Sequence, residues 1–415
     1  MTSTATPNGG VVLRLSAFKK SNAKSANMRI QAPHAFSGTP CFRGTVDDVV
    51  RELQPSAPLY ITRPDVLADE VSTFVKSFPG ETVYAVKCNT DKAVLSVMHK
   101  AGVKSFDVAS LEEIRMIRKI APKTKLYFMH PIKSPESIRE AYFTHGVRAF
   151  VIDCKDELYK IMRETDLATD LELFVRLALP KNKKALIDFS SKFGALPAKS
   201  SELLSLARNV SSRLGLSLHV GTQCTDPSAY KRAIKEAANV IKNANVTVDV
   251  LDIGGGFPVE YPGQDVPPLS EFMNAIKDGI AQYKLSHMEL LCEPGRVLVA
   301  RSTSLIVRVD GRKNDLLFIN DGTYGGMFDA GSTVRSRFPV RRISFRAQTQ
   351  NVESVPFRFA GPTCDSIDMM DGPFYLPADI KDGDWIEVGH MGAYSQAMRS
   401  NFNGFGHCDK VMLLK

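Results

Sequence analysis

The chain is short of the features that would assign its class at a glance. Its seven cysteines, Cys41, Cys88, Cys154, Cys224, Cys292, Cys364 and Cys408, are odd in number, scattered and never spaced CxxC. That pattern argues against a disulfide framework and a tetrahedral zinc site, and it fits a reducing compartment. No apolar run approaches the ~20 residues that cross a bilayer, which excludes a membrane-spanning helix. There is no GxGxxG, so a dinucleotide site is not expected. No repeat is visible beyond a strand–helix alternation, and no secretory apolar core opens the chain. Acids are absent before Asp47, while Arg14, Lys19, Lys20, Lys24, Arg29 and Arg43 precede it.

What is present is average. The 415 residues are 44% hydrophobic and 24% charged, which sets aside disordered and low-complexity classes. At about 150 residues per domain the length fits two to three domains, enough to bury a core without staples. Net charge is +8, from 53 basic and 45 acidic residues, and most of the excess lies in the N-terminal segment. That segment is Ser-rich, as a transit peptide would be, but a cytoplasmic location is the leading expectation, with the first ~25 residues lacking order. A second basic run, Arg335, Arg337, Arg341, Arg342 and Arg346, reads as a solvated strand face or a loop over an anionic pocket. A nucleic-acid surface would interleave aromatics with its cations, and the N-terminal segment has only Phe18, Phe36 and Phe42. Neither nucleic acid nor membrane is an expected partner.

From about residue 59, short runs rich in Val, Ile, Phe and Tyr alternate with helical patterns. The runs are Val83–Lys87, Ser105–Ala109, Leu126–His130, Ala149–Asp153, Leu173–Leu177, Leu216–Gly221, Val248–Gly254 and Leu290–Glu293. Segments such as Ser110–Ala121 and Pro227–Asn243 carry apolar residues at helical spacing between them. Eight such units over residues 59–298 predict an α/β fold, a (β/α)8 TIM-type barrel, with a doubly wound sheet as the rival. After residue 298 the texture changes: Ser304–Asp310, Leu316–Asn320, Val355–Ala360 and Asp384–Val388 are strand-like and joined by Gly, Pro and Asp turns. Residues 299–415, joined by 1–58, are expected to form a separate antiparallel β domain.

Barrel enzymes keep their chemistry at the C-terminal ends of the strands. The polar residues closing the runs, Lys87, Asp107, His130, Asp153, Arg176, His219, Gly254 to Gly256 and Glu293, should therefore share one rim. A glycine triplet lets backbone amides approach a phosphate, though alone it equally fits a tight turn. Glu293-Pro294-Gly295-Arg296 puts a carboxylate at a strand tip and a guanidinium fork, suited to phosphate, three residues on; alone it equally fits a helix start with a surface arginine.

Taken together, AVKCN (85–89), FDVAS (106–110), SKFGA (191–195), HVG (219–221), DIGGGFP (252–258), EPGR (293–296), NDGTYG (320–325), GPTCDSID (361–368) and GAY (392–394) resemble the pyridoxal-phosphate-dependent ornithine decarboxylases. Their group has an alanine-racemase-like barrel and also holds diaminopimelate and arginine decarboxylases. The resemblance runs in order from about Pro58 to Gly404. It implies Lys87 as the lysine that carries the cofactor, His219 stacked on its ring and Glu293 at the pyridine nitrogen. Gly254, Gly255, Gly256, Gly295, Arg296 and Tyr394 would hold the phosphate end, with Thr222 where the family often has Ser; Asp107 and Arg176 would complete the cofactor's surroundings, and Glu113 falls where the family keeps an acid near the lysine. Cys364 and Asp365 resemble a pair donated across a homodimer interface into a shared active site, the thiol to reprotonate the substrate carbon and the acid to meet its distal amine. Lys192 and Asp368 match an intersubunit ion pair, Asp329 is the candidate for a further acid at the distal amine, and Tyr394 also falls at the substrate. No metal is implied.

The chemistry agrees with these residue types. Loss of CO2 leaves an electron pair that pyridoxal phosphate delocalises, best with its ring nitrogen protonated, a state an adjacent carboxylate favours. The lysine must serve as a nucleophile, which burial and neighbouring cations promote. His219-Val-Gly-Thr-Gln leans toward the diaminopimelate type, whereas GPTCDSID is closer to the ornithine type. The expected activity is decarboxylation of a basic L-amino acid, ornithine first and lysine second; diaminopimelate or arginine decarboxylase and an amino-acid racemase are the alternatives. A non-catalytic regulator of the same fold would be expected to have lost cofactor residues, and all are present here.

Overall fold

The computed structural model describes residues 28–30, 36, 38–182, 184–187, 192–346 and 352–415. The N-terminal stretch expected to lack order or to carry a targeting signal lies outside them. Eight parallel strands close into a barrel: β4 (Glu81–Ala85), β5 (Ser105–Val108), β6 (Lys125–Phe128), β7 (Ala149–Ile152), β8 (Glu172–Arg176), β9 (Arg213–Ser217), β10 (Val250–Asp252) and β11 (Glu289–Cys292). Each of the eight runs overlaps one of them, and β11 pairs with β4 to complete the circle.

Alternation along the strands decides what points where. Val83, Tyr127, Val151, Phe174, Val250 and Leu291 form an apolar cluster of their own, while Tyr84, Phe106, Phe128, Phe150 and Leu216 belong to the larger core that includes the helices. The interior is filled to contact: a Cβ on Gly215 would lie 2.3 Å from the Phe174 ring. Two residues beyond Ser105, Phe174, Gly215 and Val250, the same register carries Asp107, Arg176, Ser217 and Asp252. The barrel lining thus turns from apolar to ionisable toward its C-terminal mouth. The helices are locally encoded. In Leu111–Ile120, the Ser110 hydroxyl caps the first turn, Glu112 and Glu113 sit at its positive end, and Arg118 and Lys119 at its negative end.

The second sheet gathers β1 (Arg29–Ile30), β2 (Cys41–Arg43), β3 (Leu59–Thr62), β12 (Thr303–Lys313), β13 (Leu316–Ile319), β14 (Val340–Ile343), β15 (Ser354–Ala360), β16 (Met369–Pro377), β17 (Trp385–Val388) and β18 (Asp409–Leu414). It is mostly antiparallel, with β18 running parallel to β2 and β3, and β13 parallel to β15. Leu59–Thr62 opens the segment expected to form the barrel, yet it pairs here with β12 and β18. The basic run lies on and around β14, and three of its five arginines are ion-paired within the chain: Arg341 with Glu387 and Asp47, Arg342 with Asp379, Arg346 with Asp384. Among the described residues no helix is long and apolar enough to cross a membrane.

Candidate active site

One cavity of about 330 Å³ opens at the barrel mouth, with Lys87, Arg176, His219, Thr222, Gly256, Glu293, Gly295, Arg296, Asp329 and Tyr394 on its wall. Lys87 sits in a single turn, Val86–Cys88, directly after β4. Its ammonium lies 2.6 Å from Asp107 Oδ2 at the end of the neighbouring strand. The lysine shows 49% of its side chain to the cavity, whereas Asp107 is buried. Desolvation pulls the ammonium's pKa down, but Asp107, Tyr394 and Glu293 outweigh it and the net displacement is upward. Glu113 lies one layer back, its carboxylate accepting from Ala109 N at 2.6 Å, and burial raises its pKa.

Glu293 directly follows β11 and is buried, with Oε1 lacking a hydrogen-bond partner among the described residues. Burial holds its pKa well above the carboxylate range, and Asp252 and Asp107 add to this while Lys87 and Arg176 partly offset it. Asp252 is fixed by Ser217 Oγ at 2.8 Å and Gly254 N at 2.9 Å. His219 Nδ1 accepts from Gly221 N at 3.0 Å, an arrangement that assigns the proton of a neutral ring to Nε2. Next to it the triplet packs without room for side chains. A Cβ on Gly254 would lie 2.2 Å from Leu218 O, one on Gly255 2.5 Å from Glu293 O, and one on Gly256 2.3 Å from Gly221 O. Gly254 and Gly256 also have φ of +68° and +98°, where glycine is favoured.

Arg296 opens the short helix Arg296–Val299 and is buried. Its Nη1 donates to Tyr261 Oη at 3.0 Å and its Nη2 to Asp329 Oδ2 at 2.8 Å. The guanidinium lies 5.1 Å from the Tyr394 ring centroid. Tyr394 itself has φ +50° and is pinned by a hydrogen bond from its N–H to Cys88 O at 2.9 Å. Asp329, expected at a substrate's distal amine, is on the cavity wall with its carboxylate on Arg296.

Cys364 and Asp365 do not line the cavity of their own chain. Cys364 is exposed, and Asp365 accepts from Tyr324 Oη at 2.6 Å and from Ile367 N at 3.1 Å. Asp368, expected to pair with Lys192 across an interface, is buried within its own chain and accepts from Thr323 and Thr363, backbone and hydroxyl of each. Asp252 and Tyr261 are site residues that motif reading passed over. Asp252 was accessible through the period-two register it shares with Asp107; Tyr261 had no local signal.

These features fit pyridoxal phosphate. Glu293 Oε1, Asp107 Oδ1 and Arg296 Nε are buried polar atoms without hydrogen-bond partners among the described residues, and at the mouth of a 330 Å³ cavity they offer an acid, a second acid beside the lysine, and a cation donor. The triplet's backbone lies directly against Leu218, Gly221 and Glu293, where no Cβ would fit, and Gly256 reaches the cavity wall.

Comparison with known proteins agrees. The model of the pyridoxal-dependent decarboxylase pyridoxal-binding domain matches residues 65–300. Antizyme inhibitor 2 of Xenopus laevis is 32% identical over 357 residues, 80% of this chain and 75% of that protein. Ornithine decarboxylase of Mus musculus is 30% identical over 360 residues, again 80% and 75%. The solved structure of lysine/ornithine decarboxylase from Vibrio vulnificus, complexed with putrescine, superimposes with a TM-score of 0.75 at 28% identity, covering 89% of this chain and 99% of that one. Barrel and cavity define an enzyme that uses pyridoxal phosphate. The chain belongs to the pyridoxal-dependent amino-acid decarboxylases, and its likeness is to members acting on basic amino acids. An antizyme inhibitor and an ornithine decarboxylase are similar to the chain to nearly the same degree, so the cavity residues, and not percentage identity, bear on turnover.

Proposed function

We propose that this chain is a cytoplasmic homodimeric decarboxylase that converts L-ornithine first, and L-lysine second, to the corresponding diamine, a polyamine precursor. The observation that carries the substrate reading is Asp365. It is half-buried at the surface, its pKa is lowered by the Tyr324 hydroxyl and the Ile367 N–H, and it is absent from its own chain's cavity. An ionised carboxylate beside the Cys364 thiol suits a distal ammonium in the cavity of a second copy. The exposed Ile367, Phe402 and Phe405 nearby support burial of this face in a dimer.

When bound, pyridoxal phosphate supplies the electron sink for decarboxylation. In this reading Lys87 Nζ would hold the cofactor covalently, Asp107 would orient the amine through its 2.6 Å hydrogen bond, and His219 would lie against the ring. Glu293, whose buried site raises its pKa, would carry a proton that it can pass to the ring nitrogen, leaving a carboxylate to hold it there. The triplet and Arg296 orient the phosphate, and Cys364 of the second copy returns a proton to the substrate carbon.

The test is to load the protein with pyridoxal phosphate, supply ornithine, lysine, arginine or diaminopimelate, and measure released CO2. The highest kcat/KM is expected for ornithine, then lysine. A preference for arginine or diaminopimelate would overturn the assignment.

A further inference from the structure

Arg296 is held from two sides. Tyr261 takes Nη1 at 3.0 Å and Asp329 takes Nη2 at 2.8 Å, in a pair whose side chains are only 4% and 8% exposed. The remaining in-plane donor, Nε, is buried and has no partner among the described residues. A guanidinium with both terminal nitrogens engaged has a fixed plane, and that plane determines where Nε and the outer N–H bonds can be offered. Asp329 is itself immobilised. It sits in the turn Phe328–Ala330, where its carbonyl accepts from Ser336 N at 2.7 Å and the flanking Ala330 N donates to Met327 O at 2.9 Å.

From this geometry we infer that Asp329 is a positioning residue for the anion end of the cavity: it braces Arg296 so that the guanidinium meets the cofactor's phosphate. Its carboxylate is thereby committed inside its own chain, and recognition of a substrate's far end falls to other groups. The brace is chiefly geometric, because the negative charge of Asp329 opposes an incoming phosphate while its oxygen holds the donor in place. Asparagine keeps an acceptor oxygen and removes the charge; alanine removes both. The inference rests on the phosphate lying at Arg296, and the choice of amino-acid substrate does not enter it.

The experiment titrates apoenzyme with pyridoxal phosphate, and separately with pyridoxal, which lacks the phosphate, following cofactor absorbance. Asp329→Ala should weaken pyridoxal phosphate binding about tenfold, the loss of one charge-assisted hydrogen bond, and leave pyridoxal nearly unchanged. Asp329→Asn should restore the phosphate form to near wild-type affinity, and inorganic phosphate should compete less well against cofactor in the alanine variant. Unchanged pyridoxal phosphate affinity in Asp329→Ala would overturn the inference, as would an equal loss for both ligands or a selective rise in KM for ornithine and lysine. A thermal melt of each apo variant checks folding, and the asparagine variant keeps the test decisive if alanine is not tolerated. Wild-type protein that does not prefer pyridoxal phosphate over pyridoxal would instead refute the phosphate placement, a result distinguishable from failure of the brace.

Discussion

The amine of Lys87 and the carboxylate of Asp107 lie 2.6 Å apart at the ends of neighbouring parallel strands. Asp107 is the largest influence raising the lysine's pKa, so before cofactor arrives the amine is held as an ammonium. Nucleophilic attack requires the free base. Asp107→Asn should therefore lower the pKa of Lys87, and the rising limb of the cofactor-loading rate should move to lower pH. Stopped-flow absorbance of apoenzyme mixed with pyridoxal phosphate across pH reads this directly; a limb that stays put or moves upward contradicts the assignment.

Glu293→Gln separates binding from turnover. Glutamine cannot hold a proton at the ring nitrogen, so turnover should fall about 10²–10³-fold, the usual scale for a proton-handling group, with cofactor still bound. The variant should also change apoenzyme stability. A carboxyl whose pKa is raised on folding stabilises the fold below its unfolded pKa, and this is lost as pH rises through the folded value. At neutral pH the buried acid is thus a liability, and the glutamine apoenzyme should melt at or above the wild-type temperature. A lower melting temperature at pH 7 with wild-type behaviour at pH 4 would reverse that sign.

Cys364→Ala is expected to bind cofactor normally and to lose most diamine production, with aldehyde by-product rising as the proton reaches the wrong carbon. Product analysis by chromatography checks it. Undiminished diamine output would leave Cys364 as an exposed thiol without a role.

Shared sites make a stoichiometric prediction. Lys87→Ala and Asp365→Ala chains are each inactive alone, and random mixing should restore about a quarter of wild-type turnover, since half the dimers hold one intact site. Mixtures with no recovered activity would remove the claim that Asp365 acts in a second copy's cavity.

The barrel was legible because its strands are buried on both faces and therefore read as continuous apolar runs between helical segments. The second sheet was less so. Val340–Ile343 carries two arginines and reads as a charged stretch until Glu387, Asp379 and Asp47, distant in sequence, neutralise them. Met369–Pro377 contains Gly372-Pro373 and reads as a turn, and Leu59–Thr62 depends on partners that arrive some 240 and 350 residues later. In the site, Lys87, Glu293 and the triplet stood at strand ends inside recognisable motifs, and the structure brings them to one cavity. The partners of Arg296 were not readable, because Tyr261 and Asp329 meet it only after both domains have folded. The intrachain contacts of Asp368 were likewise not readable, because its burial against Thr323 and Thr363 is a property of the packed loops.

The most direct measurement is covalent. Borohydride reduction of the pyridoxal-phosphate-loaded protein, followed by proteolysis and mass spectrometry, should place one pyridoxyl phosphate group per chain on Lys87. A label on a different lysine, or none at all, would contradict the account.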